Sequence, residues 1–361
     1  WQCGDPGEFS ADYFYPISIT EKEEILSVCR KINPVAVCSI ASDLAVLTVN
    51  YVARQLNLPA NSVWCDRVAT NKYEMRKVLK EAGIRTPQFL KIHSVQEIAG
   101  IDLTMFTFPI IVKPTDRSGS RAITKLASQN GLLEAVQNAM DQSFEHAAIV
   151  EEFLEGKEYS CESISFQGKH TMLAITEKFT TGEPHFIETG HIEPALLGDE
   201  IKEKVRTEVF RALDVLGIKD SASHAEFKID SRGEIAIIEI GARMGGDCIG
   251  SDLVYLSTGN DYMKMVIDVA RGREPEIEED RHITNVAIRF LMGKEDMAVE
   301  NLARKEFGEM IVSNIESVTE QEVVDSSTRY GYFIVTHSDG QKLRTILFGS
   351  KQKEKGQISK K

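Results

Sequence analysis

Glu239 interrupts an otherwise apolar run, Ile235-Ala-Ile-Ile-Glu-Ile240, that reads as a β-strand. A buried carboxylate is costly in its ionised form unless an opposite charge or a metal ion answers it. Glu226 stands in the preceding apolar run, Ala225-Glu-Phe-Lys-Ile229. If Arg232-Gly233 makes the turn, Ser231 faces Glu234 and Glu226 falls opposite Glu239, with Cβ atoms about 4.5–5.5 Å apart. Like charges that close call for a cation, and two carboxylates plus substrate phosphates are a common way to hold Mg²⁺. The competing reading is an ordinary salt bridge from Glu226 to Lys228 or Arg243 in a different register.

Other residues carry chemistry more weakly. Lys113 ends the strand Phe108-Pro-Ile-Ile-Val-Lys-Pro114 and precedes Thr-Asp-Arg-Ser-Gly-Ser-Arg121. A cation leaving a strand beside a Gly/Ser loop suits phosphate, which backbone N–H groups can cover. A solvated lysine beside a flexible hairpin fits the same string. Lys72, opening a helix, reads alone as a surface lysine. In Ile149-Val-Glu-Glu-Phe-Leu154, followed by Gly156-Lys-Glu158, an apolar strand ends in acids. Its edge offers an N–H and a C=O to a purine, and a later acid could accept from ribose hydroxyls. His191 and His224 are two of only eight histidines. His224 alternates onto the strand face of Glu226, so it points into the same cavity.

These residues need elements to position them. Thr20 with Glu23 predicts a capping box for a helix over 21–32, stopped at Asn33-Pro34. Val35–Ile40 reads as a strand, and Ser42 or Asp43 as the cap of a helix over 44–56. Met75, Val78, Leu79 and Ala82 mark a further helix closed by Gly83. Beyond residue 85 the pattern predicts strands at Phe108–Val112, Ala122–Leu126, Ala148–Leu154, Tyr159–Phe166 and Thr171–Phe179, with Gly168 in the last tight turn. A helix over 129–142 interrupts them, giving a mainly antiparallel sheet with helices to one side. A long helix over 199–216 ends at Gly217, a strand pair covers 223–229 and 234–240, and a helix lies near 260–271. Asn285–Met292 and Tyr330–His337 are the clearest strands of a strand-rich last lobe. Lys351–Lys361 reads as a polar, disordered tail.

Composition narrows the class. The 361 residues carry 42 Lys plus Arg against 55 Asp plus Glu, a net charge of −13, which disfavours a nucleic-acid partner. No apolar run approaches the roughly 18–20 residues of a membrane span. The six cysteines lack C-x-x-C spacing, so a reduced cytoplasmic setting is expected. The chain opens at Trp1 with no signal-like segment, which predicts a true start upstream and a loop over Trp1–Phe14. P-loop, G-x-G-x-x-G, H-E-x-x-H and G-x-S-x-G strings are absent; in Gly241-Ala-Arg-Met-Gly-Gly246, Arg243 replaces the second glycine.

Taken in order, six strings resemble the ATP-grasp superfamily in its carboxylate–amine ligase branch. They are Asp66-Arg-Val-Ala-Thr-Asn-Lys72, Pro109-Ile-Ile-Val-Lys-Pro114 with Ser118-Gly-Ser120, and Val150-Glu-Glu-Phe-Leu-Glu-Gly-Lys-Glu-Tyr-Ser160. Gly190-His-Ile-Glu-Pro194, Ser223-His-Ala-Glu226 and Glu239-Ile-Gly-Ala-Arg-Met-Gly-Gly-Asp247 complete the set. The resemblance implies a mixed α/β and α+β fold. In it, 1–68 would be a partial, Rossmann-like pre-ATP-grasp domain lacking its first strand and helix, and 69–150 an A subdomain with a linker helix. Residues 151–350 would be a B subdomain plus the strand-rich lobe, and 351–361 the tail.

The same resemblance assigns roles. Lys72 and Lys113 look like the lysines on ATP phosphates, and Ser118, Gly119 and Ser120 like the loop that covers them. Glu151, Glu152, Phe153 and Leu154 match the adenine hinge, with Glu152 and Leu154 acting through backbone, and Glu158 the ribose position. Glu226 and Glu239 look like ligands of Mg²⁺ (or Mn²⁺), and Arg243 like the cation on the transferred phosphoryl. His224, Lys178 and His191 fall on the acceptor side. Many relatives carry Asn two residues after the second metal-binding Glu; here Gly241 stands there. The implied activity joins a small carboxylic acid, activated as an acyl phosphate by ATP, to an amine, in a protein for which a homodimer is common. Two other readings remain: carboxyphosphate chemistry, as in carboxylases or carbamoyl-phosphate synthesis, and an ATP-binding protein without turnover.

Overall fold

The computed structural model describes residues 4, 6–119, 121–183, 186–278, 281–315 and 323–349. Its N-terminal part is helical: α1 (Pro6–Ser10), α2 (Lys22–Ile32), α3 (Asp43–Gln55), α4 (Val63–Thr70) and α5 (Lys72–Glu81). Ser42 caps α3 by accepting from the Ala45 N–H, and Asn71 caps α5 through Glu74. Three expectations fail here. The Thr20–Glu23 capping box does not form, because the Glu23 carboxylate accepts from the Tyr51 hydroxyl at 2.6 Å and Thr20 meets Ser18. Val35–Ile40 makes no strand; among the described residues none lies beside it, and an extended segment needs a ladder partner. Pro6–Ser10 forms a short helix where a loop is expected, with Pro6 at the first helical position, where its fixed φ suits it.

A small sheet follows, in the order β1-β4-β2-β3, all antiparallel. Its strands are β1 (Phe89–Ile92), β2 (Ile110–Pro114), β3 (Thr124–Leu126) and β4 (Ala148–Glu152), with α6 (Leu132–Gln142) on one face. The expected division at 150/151 falls inside β4, so Glu151 and Glu152 belong to this sheet. Alternation does the positioning. Ile110, Val112, Ala148 and Val150 pack with Leu132, Val136 and Ala139 of α6. Ile111, Lys113 and Glu151 therefore point to the other face.

The large sheet has the order β11-β12-β10-β7-β6-β5-β8-β9. It comprises β5 (Lys157–Phe166), β6 (Lys169–Thr180), β7 (Glu188–Glu193), β8 (Ser221–Ile229), β9 (Ile235–Gly241), β10 (Asn285–Phe290), β11 (Val312–Ile315) and β12 (Gly331–His337). The helices α7 (Asp199–Leu216), α8 (Val254–Thr258), α9 (Tyr262–Ala270), α10 (Lys294–Phe307) and α11 (Gly340–Phe348) cover it. The last lobe is thus a continuation of this sheet through the β7–β10 pair. Gln167 and Gly168 both have positive φ, which gives β5–β6 a two-residue turn that follows strand twist. Val205, Val209 and Leu213 of α7 pack on Ala225 and Phe227, each fully buried apolar side chain contributing about 1.5–3 kcal/mol. His224 and Glu226 alternate to the opposite face.

The β8–β9 hairpin corrects the predicted turn. Asp230 bonds Glu234, and Gly233, at φ 75°, closes a three-residue loop organised by the Asp230 carboxylate. A bulge then shifts the register between Glu226 and Phe227, leaving Ile238 without a facing residue and placing Glu226 opposite Glu239. The expected pair is real, and a different turn plus a bulge produces it. Trp1, Ser120 and Lys351–Lys361 lie outside the described residues.

Candidate active site

The inner faces of the two sheets enclose a cleft of about 190 Å³. Lys113, Glu151, Glu152, Phe153 and Leu154 line it from the small sheet, with Ser118 and Gly119 from the loop after β2. Lys72 reaches it from the first position of α5, and Glu158, His224, Glu226, Glu239 and Arg243 from the large sheet. Nearly every residue singled out in the sequence meets in one place. Ile111, Phe153, Phe186 and Ile238 contribute apolar lining, and the Lys125 ammonium lies 3.9 Å from the Phe153 ring centre.

Lys72, Lys113 and Arg243 each meet a carboxylate. Lys72 Nζ donates to Glu239 at 2.8 Å and to the Arg117 carbonyl at 2.6 Å. Lys113 Nζ lies 2.7 Å from Glu151, whose other oxygen meets Arg76 at 2.8 Å. Burial pulls the Lys113 pKa down despite Glu151, and the two cations hold Glu151 below the ordinary range against its own burial. This corrects the hinge reading of Glu151: its side chain is an internal counter-ion that holds Lys113. In the segment Glu152–Leu154, the Glu152 N–H donates to Gln88 O, the Phe153 N–H to Pro109 O, and Lys228 to the Leu154 carbonyl at 2.9 Å.

Lys178 sits just behind the cleft lining, 2.5 Å from Glu226, 3.6 Å from Glu158 and 3.7 Å from Glu188. Burial opposes its charge, but these carboxylates raise its pKa. Burial likewise pushes Glu226 up, and Lys178 and His224 hold it well below the carboxylate range. His224 Nε2 is 3.1 Å from Glu226 while Nδ1 bonds Glu162. Burial disfavours imidazolium there, yet Glu162 outweighs it and lifts the His224 pKa to about 9. His191 does not line the cleft. It pairs with Lys178 across β6–β7, is fully buried, and its Nε2 is 3.9 Å from Asp247; burial lowers its pKa.

Glu226 and Glu239 offer only hard oxygen donors from neighbouring strands, which fits a hard divalent cation completed by phosphates. Among the described residues no group of three or more His, Cys, Asp or Glu could hold a metal unaided. Sequence reasoning missed Glu162, Arg76, Glu188 and Asp43. Glu162 is completely buried, but its strand interleaves Ser160, Ser163 and Ser165 with apolar residues, so no apolar run sets the acid apart as one does for Glu239. Arg76 and Asp43 lie on helices, where a charge every few residues is unremarkable.

The family described as the ATP-grasp domain matches residues 106–252. Alanine–anticapsin ligase of Bacillus subtilis is 26% identical over 301 residues, covering 74% of this chain and 63% of that protein. D-alanine–D-alanine ligase of Parabacteroides distasonis is 27% identical over 182 residues, covering 48% of this chain and 54% of that protein. The chain thus spans between half and two thirds of the length of these relatives. Among solved structures, the L-amino acid ligase from Bacillus licheniformis has a TM-score of 0.77 at 23% identity, covering 92% of this chain and 84% of that one.

Proposed function

We propose, from the match of residues 106–252 to the ATP-grasp domain family, that the chain is an ATP-dependent carboxylate–amine ligase. A carboxylate oxygen of the acid attacks the γ-phosphorus of ATP and ADP leaves, giving an acyl phosphate. The amine nitrogen then attacks the acyl carbon, phosphate leaves with the C–O bonding pair, and the amine proton is lost to give an amide.

The observation that carries this reading is the facing pair Glu226–Glu239 in one cleft with Lys72, Lys113 and Arg243, and with Lys178 behind Glu226. A magnesium ion, when bound, would be held by Glu226 and Glu239 and would neutralise phosphate charge. Lys72 and Lys113 bind phosphate oxygens, and Arg243 donates to the transferred phosphoryl, so catalysis is positioning and charge stabilisation. The Glu152 carbonyl and Leu154 N–H face the adenine edge, Glu158 the ribose. The loop Ser118–Gly119 covers the phosphates and excludes water, which would hydrolyse the acyl phosphate. His224 and Lys178 fix Glu226; His191, one layer down, supports the acceptor side. The five described cysteines are all unpaired, which supports a reducing, cytoplasmic setting.

An ADP-release screen crossing carboxylic acids, amino acids first, with amines tests the proposal. Release that requires both partners is expected, and Lys113→Ala or Glu239→Ala abolishes it. ADP release driven by bicarbonate alone, or by no pair at all, overturns the ligase reading.

A further inference from the structure

Arg243 reaches the cleft from the residues just after β9, and the group that holds it comes from the N-terminal helices. Its Nε donates to Asp43 Oδ1 at 2.8 Å and its Nη2 to Asp43 Oδ2 at 2.9 Å, a two-pronged, planar pair. A third N–H donates to the Met244 carbonyl at 2.8 Å. A guanidinium has five N–H bonds, so two remain for a ligand in the cleft. The same loop is pinned once more by Met244 N–H to the Ile40 carbonyl at 3.2 Å.

Gly241 gives the second, independent observation. A Cβ there would stand 2.9 Å from Asp43 Oδ1 and 3.2 Å from Arg243 Nε. Its φ is not in the left-handed region, so glycine is needed at 241 for room rather than for conformation. The space that a side chain at 241 would take is filled by the Asp43 carboxylate.

We infer that Asp43 is a positioning residue, whose carboxylate clamps Arg243 so that its free N–H edge faces the γ-phosphoryl, and that Gly241 is the clearance this clamp requires. The inference rests on the nucleotide-binding part of the function proposed above. An acid placed merely to favour the start of α3 would affect melting, and would leave discrimination at the γ-phosphate untouched.

The test compares binding of a non-hydrolysable ATP analogue and of ADP, each with Mg²⁺, by calorimetry, alongside kcat and KM for ATP. Asp43→Asn is expected to weaken the analogue about tenfold relative to ADP, and to lower kcat about 10–100-fold with KM changed less than about threefold. Arg243→Ala has the same signature, and the double variant adds little to either single change. Gly241→Ala reproduces the loss, and Asp43→Ala adds nothing further to it. An analogue-to-ADP ratio unchanged by Asp43→Asn, or losses that simply multiply in the double variant, overturns the inference. A wild-type protein that binds neither nucleotide overturns it together with the functional reading. One that binds both but turns over no substrate pair overturns the ligase reading alone, and the binding ratio still decides the role of Asp43.

Discussion

Glu151→Gln removes the carboxylate that the buried cations Arg76 and Lys113 share. Arg76, Lys113 and Glu151 have side chains 0%, 8% and 3% exposed, with contacts of 2.8 and 2.7 Å. The wild-type cluster carries two positive charges and one negative; the variant keeps both positives. Leaving a buried charge unpaired costs about 3–5 kcal/mol, against about 0–1 kcal/mol for an exposed pair. Lys113 can limit its own share by shedding its proton, because moving from about pKa 10.4 to pH 7 costs about 4.6 kcal/mol, whereas Arg76 stays charged. At about 3 kcal/mol per molar of urea, the unfolding midpoint should fall by about 1–1.5 M. Lys113→Met is the control, because it leaves Arg76 and Glu151 as a balanced pair and should cost less stability while losing nucleotide binding. Urea titrations followed by tryptophan fluorescence, paired with ADP calorimetry, read both effects. If Glu151→Gln unfolds at the wild-type midpoint, or Lys113→Met is the more damaging of the two, the counter-ion account is wrong.

Two further outcomes follow from buried groups away from the cleft. Glu193 is fully buried; burial raises its pKa to about 7 although Ser257 and Thr176 donate to it. The folded value lies above the unfolded 4.5, so its contribution is full below about pH 4.5 and is lost as pH rises through about 7, by roughly 3 kcal/mol. Glu193→Gln mimics the protonated acid, and melting curves should coincide at the acid end and favour the variant at pH 8; a variant less stable at pH 8 contradicts this. Gly190 has a φ of 157°, and a Cβ there would lie 2.3 Å from the Ile288 carbonyl oxygen and 2.7 Å from the Phe348 ring. Gly190→Ala should therefore destabilise by about 1–3 kcal/mol or more, read as a lower melting temperature, whereas an unchanged melting temperature would show that β7 and β10 can move apart.

The cleft is close to neutral by internal pairing: Lys72 with Glu239, Lys113 with Glu151, Lys178 with Glu226, and Arg243 with Asp43. Each of these cations thus has its charge answered by a carboxylate of the chain itself. The pairs are of two kinds. On the proposed reading, Glu151 and Asp43 keep Lys113 and Arg243 as partners when phosphates arrive. On the same reading, Glu226 and Glu239 release Lys178 and Lys72 to oxygen-rich ligands and accept a divalent charge instead.

Much of this was legible because periodicity and chemistry agree. The helix α7 begins and ends at the expected Asp199 and Gly217 boundary, since an amphipathic stripe and a left-handed glycine cap point to one answer. Strands β1 and β7 were not legible: Phe89–Ile92 is short, and β7 interleaves Glu188, Thr189, Gly190 and His191, with no apolar alternation to mark it. The roles of Glu151 and Asp43 were hidden for a different reason, because both depend on partners, Arg76 and Arg243, distant in sequence.

The facing carboxylates show how a local rule and a tertiary feature combine. The three-residue loop at Ser231–Gly233 sets Phe227 opposite Ile237 and Lys228 opposite Ala236. Continued without interruption, that register would bring Ile238 opposite Glu226, and Glu239 opposite Ala225. Glu239 would then point with Ala225 toward the apolar layer under α7, where an ionised carboxylate has no partner. The single extra residue at Ile238 turns Glu239 back to the cleft, where Lys72 receives it at 2.8 Å. No pattern of apolar and polar residues announces such a bulge, yet the energetic demand does: an acid in this strand can be tolerated only if the strand shifts by one residue before reaching it.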